Sequence, residues 1–126
     1  MAEAPVIAIV DDDEAVRVAT GSLVRSLGYT AETYSCARDF LRASAAREPA
    51  CLITDVQMPG MTGVELQEAL VAAGRRLPVI FVTAFPTESL RSRALAAGAS
   101  GFLRKPCEGR AIIDCLERAL RQRAAT

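Results

Sequence analysis

The run VIAIVDDDE, Val6–Glu14, sets five apolar residues directly before four acids. Five apolar positions without alternation describe a strand buried on both faces, the pattern of a central parallel strand. The residues that follow, Asp13–Leu27, carry Val16, Ala19, Leu23 and Leu27 on one helical stripe, and Gly28 suits a left-handed C-terminal cap. The unit is therefore strand, acidic turn, helix.

Working outward, the same unit recurs. Thr30–Tyr34 reads as a strand and Ala37–Ala46 as a helix; Ala50–Thr54 is a strand that ends at Asp55. Thr62 with Glu65 three residues on forms a capping box that opens a third helix, and Gly74 closes it. Pro78–Val82 is a fourth strand, Thr87–Ala97 a helix stopped by Gly98, and Gly101–Leu103 a short fifth strand. Glu108–Gln122 is the last helix, burying Ile112, Leu116 and Leu120, while the first five residues and the closing Ala-Ala-Thr read as frayed. Five strands alternating with five helices give an α/β fold, a parallel sheet with helices on both faces.

A chain of 126 residues buries enough surface to need no metal or disulfide staple, and residues 1–126 read as one domain. It contains no histidine, so it has no imidazole base, no Ser-His-Asp triad and no histidine metal ligand. Any phosphohistidine chemistry must come from a partner. The four cysteines form no C-x-x-C pair, and neither a leader peptide nor a membrane-length apolar run is present, which predicts a reduced, cytoplasmic protein without membrane contact. Fifteen basic residues against fifteen acidic ones, with 5% aromatics, argue against direct binding of nucleic acid.

In an open α/β sheet, ligands bind beyond the carboxyl ends of the strands. Here those ends deliver Asp11, Asp12 and Asp13, then Asp55, Thr83 and Lys105. Singly, each has an ordinary reading: Asp12 or Asp13 as a helix N-cap, Thr83 as a strand-end hydroxyl, Lys105 as a solvated charge. Together, clustered carboxylates would repel one another unless a cation joined them. Hard oxygen donors without imidazole or thiolate point to Mg²⁺, with Mn²⁺ as the alternative, and a divalent ion plus Lys105 balances three carboxylates. Such a pocket suits phosphoryl transfer to an aspartate. Asp11 and Asp12 are adjacent and suit the metal, whereas Asp55 stands alone at a central strand end and is the expected nucleophile.

At this point the chain resembles the receiver domain of two-component response regulators. The resemblance rests on VDDDE at Val10–Glu14, DVQMPGMTG at Asp55–Gly63, VTA at Val82–Ala84 and GASGFLRKP at Gly98–Pro106, and it extends from the first strand to the last helix. Leu27-Gly28-Tyr29 and MPGMTGVEL at Met58–Leu66 are most similar to the subgroup of nitrogen-fixation transcriptional regulators. The resemblance implies a flavodoxin-like sheet of order 2-1-3-4-5. It implies that Asp55 accepts phosphate from a histidine kinase or phosphotransfer protein, that Asp12, Asp55 and the backbone carbonyl of Gln57 bind Mg²⁺ directly, and that Asp11 acts through water. Lys105 would pair with the phosphate, across a cis bond to Pro106. Thr83 and Phe102 match the switch pair that relays the change to helix four, strand five and helix five.

On that surface Arg91, Arg93, Asp114, Glu117 and Arg118 are candidates for ion pairs in a phosphorylation-induced homodimer. The implied role is a switch that regulates transcription through an effector domain, which this chain does not include, with at most self-phosphorylation and self-dephosphorylation as activity. An aspartyl-phosphate phosphohydrolase would place a second acid two residues after the nucleophile, where this chain has Gln57. Neither Gly-rich nucleotide loop occurs. Ala84-Phe85-Pro86 replaces a more polar, glycine-containing loop, and Phe85, beside Gln57 where water would attack, is expected to slow hydrolysis. Cys107 reads as small apolar filler.

Overall fold

The computed structural model describes residues 4–44 and 47–125. Its strands are β1 (Val6–Val10), β2 (Thr30–Tyr34), β3 (Cys51–Thr54), β4 (Val79–Thr83) and β5 (Gly101–Arg104). They alternate with α1 (Glu14–Ser26), α2 (Ala37–Ser44), α3 (Gly63–Ala72), α4 (Glu88–Ala96) and α5 (Gly109–Ala125). Every strand pair is parallel and the order is β2-β1-β3-β4-β5, as the resemblance implies. The expected frayed ends need correction. The Pro5 carbonyl accepts from the Thr30 N–H at 3.0 Å, and α5 continues through Ala125; residues 1–3 and Thr126 lie outside the described residues, as do Ala45 and Ala46 at the expected end of α2.

The unalternating strands divide their side chains between two cores. Ala8, Val10, Leu52, Val79 and Phe81 join α2, α3 and α4 on one face. Ile7, Ile9, Ile53, Ile80 and Val82 join α1 and α5 on the other. Successive strand residues point to opposite faces, so a strand must be apolar throughout when both faces are covered. β2, at the sheet edge, is the polar exception, and its Thr30, Glu32 and Thr33 are exposed.

Local signals place the helices. Asp13 caps α1, accepting from the Val16 N–H at 3.2 Å, and Gly28 follows it with a φ of +92° that a side chain would strain. Both halves of the Thr62 and Glu65 capping box form, at 2.9 and 3.1 Å. The buried face of α1 differs from the expected stripe. Thr20, Gly21 and Val24 are buried and half-buried Leu23 and Leu27 pack against the core as expected, whereas Val16 is only half-buried and Ala19 is exposed. The helix lies close on β2, since a Cβ added at Gly21 would stand 3.6 Å from Thr33 Cγ2. Val16, Ala19 and Leu23 line a groove of about 720 Å³ with Pro106 and Cys107 of the segment leading into α5 and Ile112 of α5 itself.

Candidate functional site

The three central strands and the edge strand β5 all contribute to one end of the sheet. β1 delivers Asp11 and Asp12, β3 delivers Asp55, β4 ends in Thr83, and β5 leads into Lys105 across a cis peptide to Pro106. Carboxylate oxygens of Asp11, Asp12 and Asp55 lie within 4.8 Å of one another. Lys105 Nζ donates to Asp11 Oδ2 at 2.7 Å and to Asp55 Oδ2 at 3.0 Å, so one ammonium bridges two acids that are themselves almost wholly buried. Asp13, the remaining acid of the turn, is the N-cap of α1, which leaves Asp12 to the cluster.

The backbone fixes Asp55 as tightly as the lysine does. Its N–H donates to Val10 O at 3.0 Å, tying β3 to β1, and its Oδ1 accepts from the N–H groups of Val56 at 2.7 Å and Gln57 at 3.3 Å. Gly63, the first residue of α3, packs against the Asp55 carbonyl so closely that an added Cβ would stand 2.0 Å from that oxygen. Glycine at this place in DVQMPGMTG is a steric requirement of the phosphoacceptor candidate's own backbone. Asp11 is held at its N–H by Tyr34 O at 3.1 Å, and its Oδ1 accepts from the Asp13 N–H at 2.9 Å.

Burial pulls the Lys105 ammonium down, but the hydrogen bonds and charges of Asp11 and Asp55 together outweigh burial and hold it above the ordinary lysine value. It is therefore a fixed cation at neutral pH. Three carboxylates against one ammonium leave a surplus of two negative charges at one spot. Oxygen donors alone, with exposed Asp12 open to solvent, fit a hard divalent cation that retains water ligands. Asp11, Asp12 and Asp55 are the side chains that could hold it; the donor chemistry is that of Mg²⁺.

Thr83 is fully buried, and its Oγ1 accepts from the Phe85 N–H at 3.4 Å, while its carbonyl accepts from the Lys105 N–H at 2.7 Å. Phe102 is half-buried, paired in register with Phe81, with ring centroids 5.9 Å apart and against the core beneath α4. Phe85 is 72% exposed on the loop after β4. Gln57 is exposed beside Asp55.

Among the charges proposed for a dimer, Arg93 already pairs with Glu68 of α3 at 2.9 Å and Asp114 with Arg110 at 3.2 Å. Arg91, Glu117 and Arg118 remain exposed. The residue that sequence reasoning missed is Arg17, whose Nη1 donates to the Asp11 carbonyl at 2.8 Å. Its signal was positional: a cation in the first turn of a helix stands where the helix dipole disfavours it.

Comparison with known proteins agrees with this geometry. The family model of the response regulator receiver domain matches residues 7–117. The response regulator protein TodT of Pseudomonas putida is 38% identical over 118 residues, 94% of this chain and 52% of TodT. The transcriptional regulatory protein FixJ of Azorhizobium caulinodans is 36% identical over 120 residues, 95% of this chain and 57% of FixJ. The chain thus spans about half the length of these relatives. Among solved structures, the response regulator StyR superposes with a TM-score of 0.90 at 41% identity, covering 98% of this chain and 62% of that one. FixJ-N superposes with a TM-score of 0.86 at 32% identity and 96% coverage of both chains. With its sheet order, its strand-end acids and its lysine in the places the sequence pattern requires, the chain belongs to the response regulator receiver domains of two-component systems.

Proposed function

We propose that Asp55 is the phosphoacceptor of this receiver and that Asp11, Asp12, Thr83 and Lys105 serve its phosphorylation, with a histidine kinase or phosphotransfer protein as donor. The observation that carries the reading is the Lys105 ammonium bridging Asp11 and Asp55 within a cluster of three carboxylates. In the transfer, an Asp55 carboxylate oxygen forms the new O–P bond while the donor's bond to phosphorus breaks and the donor keeps the electron pair. Two backbone N–H groups orient the Asp55 carboxylate, and the Lys105 ammonium moves from neutralising two carboxylates to neutralising the phosphoryl oxygens. Asp12, Asp55 and the Gln57 carbonyl would hold a Mg²⁺ directly, with Asp11 acting through water, and the bound ion would supply charge neutralisation for the developing phosphate.

The groove of α1 and α5 beside Lys105, lined by Val16, Ala19 and Leu23, gives the donor's apolar helix face a place to lie. Thr83 and Phe102 relay the phosphorylated state: the hydroxyl turns to a phosphate oxygen, and the ring moves in beneath α4. The output is the surface of α4, β5 and α5, through which phosphorylated copies pair and a transcriptional effector is controlled. The domain's own activity is limited to accepting and losing phosphate, and the large exposed Phe85 ring slows that loss. Four free cysteines support a reducing, cytoplasmic setting.

Acetyl phosphate with Mg²⁺ should add one phosphoryl group, read by intact mass, which Asp55→Asn and metal removal both abolish. Phosphorylation that survives Asp55→Asn would overturn the assignment.

A further inference from the structure

We infer that Arg17 is a positioning residue for the acidic cluster, fixing the peptide between Asp11 and Asp12 and so setting where the Asp12 carboxylate stands. The inference rests on reading that cluster as a divalent-cation site. Arg17 is the fourth residue of α1, and a cation there opposes the helix dipole. What offsets this is a contact six residues back, where its half-buried guanidinium donates from Nη1 to the Asp11 carbonyl at 2.8 Å.

Asp11 is otherwise fully engaged: Tyr34 O takes its N–H, the Asp13 N–H reaches Oδ1 and Lys105 reaches Oδ2. Its carbonyl is the polar group left for a side chain, and Arg17 takes it. That carbonyl belongs to the same rigid plane as the Asp12 N–H, so fixing one fixes the start of the next residue. Asp12 needs this help. Its side chain is exposed and accepts no hydrogen bond among the described residues, yet it stands within 4.8 Å of Asp11 and Asp55. Among the described residues, its backbone alone holds it there.

Two roles for Arg17 predict opposite signs. A cation that merely lies near a divalent site repels the ion, so removing it tightens binding. A cation that positions a ligand weakens binding when removed, typically about tenfold for a group acting through a ligand.

Mn²⁺ titration of the full chain, with free ion read by electron paramagnetic resonance, compares the wild type with Arg17→Met and Arg17→Lys. Arg17→Met should bind about tenfold more weakly. Arg17→Lys keeps the charge but not the planar reach, and should fall between. Unchanged or tighter binding by Arg17→Met overturns the proposal; should that variant not fold, wild-type affinity in Arg17→Lys does so. Amide exchange in the metal-free protein separates this inference from the metal reading. The Asp12 and Asp13 N–H groups should exchange severalfold faster in the Arg17 variants even if the wild type binds no Mn²⁺, and unchanged exchange there would again sink the role of Arg17.

Discussion

Lys105 shows how one side chain holds two roles before any phosphate arrives. It is the counterion for Asp11 and Asp55, and its raised pKa makes that a stability term with a definite sign. A group whose folded-state pKa lies above its unfolded one stabilises fully below the unfolded value, about 10.4 for lysine, and loses that contribution as pH rises through the folded value. The urea midpoint of the wild type should therefore fall between pH 10 and 12 more steeply than that of Lys105→Met, which lacks the term. A parallel fall in both proteins would show that the bridge contributes nothing to stability. Phe85 presents the other residue-scale test. With 72% of it exposed, Phe85→Ala should leave the melting temperature near that of the wild type and shorten the phosphate lifetime. A longer lifetime would refute its role as a screen against water.

At the scale of elements, α3 is the best-determined segment. Thr62 and Glu65 close a reciprocal cap, and Gly63 then brings the helix start against Asp55. Thr62→Ala should cost about 1 kcal/mol in urea unfolding, since it strands a backbone donor at the helix end. The Glu65 carboxyl is held below its ordinary value by the Thr62 N–H, then by the Thr62 hydroxyl contact. A depressed carboxyl stabilises above its unfolded pKa and loses that contribution as pH falls through the folded one, so the cap should weaken on the acid side. This cap was legible in the sequence because both partners lie three residues apart. The α1 face was only partly legible: Leu23 and Leu27 of the apolar stripe do pack on the core, but the buried Thr20 and Gly21 carry no hydrophobic signal for periodicity to count. Arg17 was missed because its partner is a backbone carbonyl, so its one mark in the sequence is a cation placed in the first turn of α1.

For the whole molecule, the sheet was legible because strands covered on both faces must be apolar throughout, and the site because the sheet's carboxyl edge collects whatever follows each strand. Asp13 was the ambiguous member; only the structure divides the acids into one cap and three cluster members. The surplus negative charge of that cluster should make the stability of the folded state depend on metal. Mg²⁺ at a hundred times its Kd should raise the unfolding free energy by about 2.7 kcal/mol, a shift of several degrees in Tm that Asp12→Asn greatly reduces. A Tm indifferent to Mg²⁺ and chelator alike would argue against ion binding.

Lys105 reaches across 94 residues to Asp11 and 50 to Asp55, so the ammonium and the two acids meet only when the fifth strand has taken its place at the sheet edge. During synthesis, a chain still short of β5 exposes the acids without their counterion, and a chain that mispairs its last strand does the same. On the proposed reading of Asp55 and Lys105, a copy that has not placed its last strand would lack the assembled site, so the competence to accept phosphate would arrive with the completion of the fold.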